Sequence, residues 1–482
     1  YDQGEGFELY DTVLHAQGRW PYQDSQVFPF YTSIYPPLFH LLTAPLVLAF
    51  GPHLWTGRLV GFLASLVAAG AIAWAVRQET GRGLIGGLAG LTFLASNYTF
   101  AIGPLFRQHM TMVMFETLAI VTLARFDWPG PGRGDAQDAV EARQPGRPAA
   151  TWRAWRPSGF SPRLYLGLAF LLAAGYAKQL ALATVIAALA FLFLRGPRRA
   201  LLAGLGLAVL GGAIFFWINW QTGGWWFVSI IQANINDYDL AQTLAFYREW
   251  FELHAVIILA AGGYLLYELY VSRLSAYSIW FLFAAANGAL SGKFGAGESY
   301  FVTATAAASL AAGLAAGRGL NQALSSRAGR PAASPGFRAL FPSLGSLLVL
   351  VIPLLFILQT RLTLHLYTDG PVYGPLARLL GVADNSGRGY YDSQGYTQLG
   401  PRPTRADHAA GYKIAALAQA AAGLLEARLR EQRRIERRAF GLVILRAQFY
   451  PPPVLAALGA HYQPVAEIPM NGFTYRILAP RP

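Results

Sequence analysis

Two acidic residues at the start of the chain have the chemistry of a general base. Asp2 and Glu5 open a segment in which Phe7, Tyr10 and Leu14 share one face of a predicted helix, with the acidic residues turned away from that face. An amphipathic helix of this kind lies in the plane of a membrane interface. A carboxylate held there can accept the proton of an incoming hydroxyl group, and Asp2 is the first candidate for that role. The alternative is a solvated acidic loop.

Basic residues near the ends of apolar segments form a second candidate site. Charged side chains in membrane segments are costly and usually face a cavity or a partner. Several at one predicted depth indicate a shared anionic ligand, such as a lipid phosphate, whereas snorkelling to the head groups would explain each one separately. Lys178 is the strongest candidate because the polar Gln179 accompanies it. The set consists of Arg58, Arg107, Lys178 and Lys293.

His109 is a further candidate, in the predicted outer turn that also holds Arg107. It could act as a general acid or base, or as a metal ligand, but a lone histidine is more often a hydrogen-bonded structural residue. The chain has no cysteine, no HExxH pattern and no glycine-rich phosphate loop. We therefore make no firm cofactor prediction and assign no metal ligands; a divalent metal stays open as an alternative, without support from any motif.

The elements that must position these residues are mainly transmembrane helices. Hydrophobic residues make up 54% of the 482 residues and charged residues only 13%, against about 25% charged in ordinary soluble proteins. This composition excludes a single soluble globule. Because about 20 apolar residues cross a membrane, the predicted spans are Trp55–Val76, Leu84–Phe106, Met110–Ala124, Leu201–Trp220, Ala255–Tyr270, Ala276–Ser291, Tyr300–Gly317 and Phe341–Gln359.

Two apolar segments need separate treatment. Pro37–Phe50 is short and contains Pro45, so we predict a juxtamembrane or re-entrant piece. Leu164–Leu194 is too long for one span and has arginines at both ends. One long helix would put basic clusters on both sides of the membrane, against the positive-inside tendency. We therefore predict a hairpin of two short helices with Lys178 at its outer turn.

The distribution of basic residues sets the orientation. With the N-terminus outside, most arginines of the membrane module fall in the inside loops, and few fall in the short outside segments. This asymmetry accounts for much of the net charge of +13 without any nucleic-acid partner. We predict an integral, multi-pass protein of a bacterial-type plasma membrane with its active site and C-terminus outside.

The chain divides into three predicted regions: a first outer loop with juxtamembrane helices (1–52), a transmembrane module (53–360) and a small outer α/β domain (361–482). Within the module, 127–159 and 319–338 have the composition of disordered inside linkers. In the last region, Tyr412–Arg438 is predicted to be a helix, Phe440–Leu445 and Phe473–Leu478 to be strands, and Pro451–Pro453 to start a turn or helix. The start at Tyr1, without Met, indicates a fragment that lacks an N-terminal segment. The fold class is therefore mainly α, with about ten membrane helices and a small α/β domain.

Several short motifs in this order resemble the GT-C membrane glycosyltransferases. The nearest branch contains the protein O-mannosyltransferases, the lipid A aminoarabinose transferases and their bacterial relatives. The acidic start of the first outer loop is similar, and so are the later motifs Gly18–Asp24, Tyr35–Leu38, Arg107–Met110, Lys178-Gln179 and Gly292–Gly295. The resemblance covers most of residues 1–317, whereas the C-terminal domain is similar only in placement.

The resemblance implies transfer of a hexose or pentose from a polyprenyl-phosphate donor, itself a membrane lipid, to a glycan, lipid or protein acceptor that stays unspecified. In such enzymes an aspartate of the first outer loop is the base of an inverting displacement, and Asp2 matches that position. The acid that usually follows it is Gln3 here, with Glu5 as a possible substitute, and His109 stands where an aspartate is common. Lys178 and then Lys293 match the donor-phosphate residues. Tyr22, Asp24 and Tyr35 fall in the loop that contacts substrate.

Two other function classes remain open. A transporter of an anionic or lipid-linked substrate would also have many spans and intramembrane cations, but inverted repeats with broken helices are expected there, and the sequence has no evident repeat. A ligase or polymerase of lipid-linked glycans would have a large arginine-rich outer loop, whereas the first loop here contains a single arginine, Arg19.

Overall fold

The computed structural model describes residues 5–24, 32–126, 162–236, 238–293, 296–327, 438, 441, 443–446, 452–470 and 473–482. Most of these residues are helical. The helices are α1 Glu5–Ala16, α2 Leu38–Phe50, α3 Leu54–Thr80, α4 Gly83–Ala95, α5 Asn97–Ile102, α6 His109–Ala124, α7 Pro162–Ala177, α8 Leu182–Arg195, α9 Pro197–Gln221, α10 Trp225–Ile230, α11 Leu240–Val271, α12 Ala276–Asn287 and α13 Val302–Arg327. Strand β1 Val443–Arg446, helix α14 Pro452–His461 and strands β2 Tyr462–Met470 and β3 Phe473–Pro480 follow.

The helices are those of a polytopic membrane protein. Four of the described helices are long and apolar enough to cross a membrane, and several shorter ones are equally apolar. Helix α9 shows the expected outer surface, since Leu201, Leu205, Val209 and Phe216 are all exposed. Large apolar side chains facing outward suit hydrocarbon rather than water. The prediction of a mainly α membrane protein with a small sheet is confirmed.

The predicted spans on described residues fall on helices, but Leu84–Phe106 is not one helix: it is divided at Ser96 into α4 and the short α5, and residues 103–106 form a turn. Phe341–Gln359 and the linker 127–159 lie outside the described residues. Helix α11 begins 15 residues before its predicted span, and the backbone departs from helical geometry at His254 (φ −130°), where that span was predicted to begin. Helix α13 continues to Arg327, so residues 319–327 of the predicted second linker are helical.

Small residues let the central helices approach closely. A Cβ atom on Gly86 of α4 would lie 2.4 Å from the carbonyl oxygen of Ala73 on α3, and one on Gly90 would lie 2.6 Å from that of Ala69. Such contacts are typical of helices that associate within a membrane. The core they form is rich in alanine and is shared by α3, α4, α6 and α13.

Helices α7 and α8 are separated by a break at Lys178. Its backbone is extended, and a 3₁₀ turn, Gln179–Ala181, precedes α8. At the start of α6, His109 contacts Lys178 at the break. Further along α6, Glu116 accepts a hydrogen bond from Thr184 of α8 at 2.7 Å. Near the end of α6, Leu123 packs against Gly167 of α7. Both helices therefore run back along α6 from the break, which is the arrangement of a hairpin.

Helix α1 differs from its predicted amphipathic arrangement. Its acidic side, with Glu5, Glu8 and Asp11, is fully buried, while Phe7 and Tyr10 of the predicted apolar face are only half-buried. The acidic residues were expected to face away from the packed side. They face inward instead, because Arg58 of α3 and Arg107 of the turn before α6 provide partners there.

The C-terminal strands form an antiparallel sheet with the order β1-β3-β2. The predicted strands correspond to β1 and β3, and the predicted start of a turn or helix at Pro451–Pro453 corresponds to α14. Strand β2 was missed because it contains Pro464 and Pro469, and proline argues against a strand. Apart from Arg438, the predicted helix Tyr412–Arg438 lies outside the described residues.

Candidate functional site

A cavity of about 930 Å³ opens at one end of the helical bundle. Arg107, Lys178 and Lys293, three of the four predicted phosphate-binding cations, line it together with His109. They come from the turn before α6, the break between α7 and α8, and the segment after α12. The tertiary structure therefore joins residues up to 186 positions apart into one basic wall.

Lys178 is the most enclosed of these cations. Its side chain is buried, and its Nζ lies 5.3 Å from the ring centre of Tyr35 and 5.8 Å from that of Tyr300. Aromatic faces attract ammonium groups at such distances. Burial, followed by the charge of Arg107, lowers the pKa of Lys178 to about 7. Its charge therefore depends on what enters the cavity.

His109 is held against Lys178 at the first turn of α6. Its Nε2 atom contacts Lys178 Nζ. Because a charged lysine can only donate, Nε2 accepts that hydrogen bond, and the ring proton is then on Nδ1. No described residue accepts from Nδ1. In this arrangement His109 orients the lysine, and its second nitrogen is available to a ligand or water.

The turn that holds Arg107 fits closely against α3. A Cβ atom on Gly57 would lie 2.1 Å from the ring of Phe106, and one on Gly61 would lie 3.0 Å from the Leu105 carbonyl oxygen. Arg107 Nη1 donates to Glu8 Oε1 at 3.2 Å. Burial raises the pKa of Glu8 to about 8, although Arg107 opposes this shift. The sequence analysis did not assign a role to Glu8.

Lys293 also lines the cavity and is held by polar neighbours. Its Nζ is 3.5 Å from Asn234 Oδ1, and its carbonyl oxygen accepts a hydrogen bond from Gln242 at 3.3 Å. Asn234 also donates to the carbonyl oxygen of Ile34 at 3.3 Å. Partial burial lowers the pKa of Lys293. This network ties the first outer loop to the segment after α12.

Arg58 and Glu5 lie outside the cavity and form a buried structural pair. The Arg58 guanidinium donates to both carboxylate oxygens of Glu5, at 2.8 and 2.7 Å, and the Phe106 amide donates to Glu5 at 2.7 Å. Arg58 was predicted to bind a phosphate, and Glu5 to substitute as the base. In the structure they pair with each other, and the Phe106 amide joins Glu5 of α1 to the Arg107 turn.

The predicted substrate-loop residues occupy three different positions. Tyr35 lines the cavity. Tyr22 is buried against Trp226 and donates to the Tyr35 carbonyl oxygen at 2.8 Å, so it positions the loop. Asp24 is half-buried and does not line the cavity. Asp2 lies outside the described residues.

Several lining residues were missed by the sequence analysis. Among the described residues that line the cavity, the acidic one is Glu298, which is exposed. Asn234, Asn236 and Tyr300 also line it. The sequence feature that could have indicated a site at the two asparagines is the largely polar segment 232–236 between two apolar helices.

Comparison with solved structures identifies the architecture. The crystal structure of apo ArnT from Cupriavidus metallidurans superposes with a TM-score of 0.54 at 15% identity, over 99% of this chain and 93% of that one. The fold is that of ArnT. A second ArnT structure, bound to undecaprenyl phosphate, gives a TM-score of 0.49 at 13% identity, over 98% of this chain and 93% of that one. The resemblance to GT-C membrane glycosyltransferases therefore holds for the fold.

No family model matches the sequence, and no curated protein matches it. At this level of identity the likeness to ArnT describes the fold, and function must be argued from the site itself.

Proposed function

We propose that this protein is a glycosyltransferase that moves a sugar from a polyprenyl-phosphate donor to an acceptor at the outer membrane face. The observation that carries the proposal is the cavity with Arg107, Lys178 and Lys293 in its wall. A phosphate is the ligand that suits three cations in a partly enclosed pocket. The pocket has the size of a small-molecule or cofactor site.

An apolar side of the same cavity suits the lipid part of such a donor. Leu182 and Ile186 of α8 line the cavity and are also exposed on the outer surface of the bundle. A prenyl chain can therefore lie along α8 in the membrane while its phosphate meets Lys178. ArnT, whose apo form has this fold, has also been crystallised with undecaprenyl phosphate.

The proposed reaction is an inverting displacement. The acceptor oxygen attacks the anomeric carbon, and the bond from that carbon to the phosphate oxygen breaks. The lipid phosphate leaves with the bonding electrons, and the cations stabilise its charge in a site of low dielectric constant. The acceptor proton moves to a carboxylate, and alignment of the three groups supplies much of the acceleration.

Asp2 is the proposed base. It precedes Glu5 by three residues, and three residues span at most about 10 Å of extended chain. Glu5 is bonded to the Phe106 amide, next to Arg107 in the cavity wall. The proposal rests on this short chain distance between Asp2 and a residue bonded beside the cavity wall. Glu298, which lines the cavity from the other side, is the competing candidate.

We further propose ten spans in a bacterial-type plasma membrane, with the cavity and the C-terminal domain outside. In this topology both ends of the α7–α8 hairpin are inside. Single cysteines replacing Arg163 and Arg198 in this cysteine-free chain should both resist a membrane-impermeant thiol reagent in intact cells. A cysteine replacing Gln17, an exposed residue at the end of α1, should react. Labelling of Arg163→Cys or Arg198→Cys alone would contradict the proposed topology.

A transfer assay tests the function directly. The full-length protein in proteoliposomes is incubated with a panel of radiolabelled polyprenyl-phosphate sugars, and label is followed into lipid, glycan and protein fractions. Label leaving the donor for one of these fractions is the expected result. Movement of intact donor across the bilayer without loss of its sugar would identify a transporter instead, and transfer of whole oligosaccharides would identify a ligase or polymerase.

A further inference from the structure

A second cluster of polar residues lies behind Arg107, outside the cavity. Glu8 and Asp11 share one side of α1, and His40 faces them from α2. The three side chains are almost completely buried, with exposed fractions of 1%, 2% and 0%. Two carboxylates and an imidazole enclosed in this way need a positive charge or a proton among them.

The hydrogen bonds of Thr12 fix the state of His40. The Thr12 hydroxyl donates its proton to the Glu8 carbonyl oxygen at 2.7 Å. Its oxygen also lies 2.9 Å from His40 Nδ1. With the hydroxyl proton on that carbonyl, the Thr12 oxygen accepts from Nδ1, and this tautomer of His40 has its proton on Nδ1. In a neutral ring, Nε2 then has a free lone pair, as in a metal-bound histidine whose other nitrogen donates to a fixed partner.

The free nitrogen of His40 is directed at the two carboxylates. Nε2 lies 3.4 Å from Glu8 Oε2 and 3.8 Å from Asp11 Oδ2, and it has no hydrogen-bond partner among the described residues. Three atoms that all carry lone pairs repel one another at these separations. A cation between them would remove the repulsion and give His40 Nε2 a partner.

The spacing is that of a metal site. Nitrogen and oxygen ligands bound at about 2.0–2.1 Å to a tetrahedral ion lie roughly 3.3–3.4 Å apart. The ligand atoms of Glu8, Asp11 and His40 all lie within 4.8 Å of one another. Only small shifts are needed to close them around an ion. We propose that Glu8, Asp11 and His40 bind one divalent transition-metal ion, preferentially zinc.

The surroundings suit such an ion. Its two charges would balance the two carboxylates, and imidazole favours zinc over magnesium or calcium. The other Glu8 oxygen, Oε1, is held by Arg107 at 3.2 Å. Gln108, with its amide oriented to donate, reaches both Glu8 oxygens, Oε1 at 3.0 Å and Oε2 at 3.1 Å. An ion at this site would therefore fix the carboxylate that orients Arg107 in the cavity wall, which makes it a positioning element rather than a reaction partner.

Metal analysis of the purified full chain tests the proposal without any sugar-transfer assay. The protein is stripped with a chelator, exposed to Zn²⁺, freed of excess ion and analysed by mass spectrometry for zinc. We expect a single zinc ion per chain, and X-ray absorption should show nitrogen and oxygen ligands with one imidazole. Absence of zinc from the wild-type chain after this treatment would overturn the proposal, because a shared proton would then satisfy the cluster.

Variants assign the ligands. His40→Gln and Asp11→Asn should each lose the zinc, and Co²⁺ bound in its place should lose its visible absorption bands. His254→Gln is the matched control, since His254 is also buried with an unpartnered Nε2 but stacks on Tyr98 instead of facing carboxylates. The control should retain zinc. Zinc retained at wild-type level in folded, monodisperse Asp11→Asn and His40→Gln proteins would place the ion elsewhere and reject the site.

Discussion

Replacing Asp2 by asparagine is expected to lower the rate of sugar transfer by about 10²–10⁴-fold, the range typical for loss of a positioned general base. The substitution keeps the size of the side chain but removes the group that accepts the acceptor's proton. Donor affinity should change little, because the proposed phosphate ligands are Arg107, Lys178 and Lys293 in the cavity wall. Single-turnover transfer and equilibrium donor binding measured on the same preparation separate the two effects.

Two further variants make this prediction specific. Glu298→Gln removes the competing carboxylate of the cavity wall. Glu252→Gln is a control, since Glu252 is exposed on α11 and pairs with the exposed Arg248. Wild-type rates in Asp2→Asn together with a large loss in Glu298→Gln would move the base to Glu298. The control should transfer sugar at the wild-type rate.

Lys178→Ala is expected to weaken binding of the polyprenyl-phosphate donor by roughly 1.5–3 kcal/mol, the range for a hydrogen bond to a charged group, or about 10–100-fold in affinity. Lys178 is the buried cation of the cavity, so its contact with phosphate is little screened by water. Lys178→Arg should rescue only in part, because a planar guanidinium replaces a compact ammonium. Arg248→Ala, an exposed charge on α11, should bind donor normally.

The donor affinity should also depend on pH. Burial lowers the pKa of Lys178 to about 7, so the lysine is charged below that pH and neutral above it. A donor phosphodiester has a constant single charge in this range. Its affinity should therefore be greatest below pH 7 and fall by up to about tenfold per unit above it. Arginine stays charged throughout, so a pH dependence that survives in Lys178→Arg would show that another group is responsible.

Much of the membrane module could be predicted from the sequence because the information is local. Membrane crossing requires a run of apolar residues, and such runs can be found in the sequence without knowledge of the fold. The helices of the membrane module lie where these runs were found. The break at Lys178-Gln179 was also visible locally, as a polar pair in the middle of an apolar segment with arginines at both ends. These features depend on hydrocarbon as a solvent rather than on partners elsewhere in the chain.

The site could be predicted only in part, because residues with similar neighbours in the sequence have different partners in the folded protein. Arg58 and Arg107 both fall near the outer ends of apolar segments, yet Arg58 is neutralised by Glu5 whereas Arg107 reaches the cavity. The two partners that decide this, Glu5 and Glu8, precede their arginines by 53 and 99 residues. No local pattern specifies such pairings.

Helix α1 shows most clearly which features follow from the sequence and which depend on the tertiary structure. By itself the sequence determined that Glu5–Ala16 is a helix with an acidic side and an aromatic side. The tertiary structure alone decided that the acidic side packs inward, where it meets Arg58, Arg107 and His40. The physical reason is that burial of a carboxylate depends on the cations and hydrogen-bond donors that the rest of the fold brings to it.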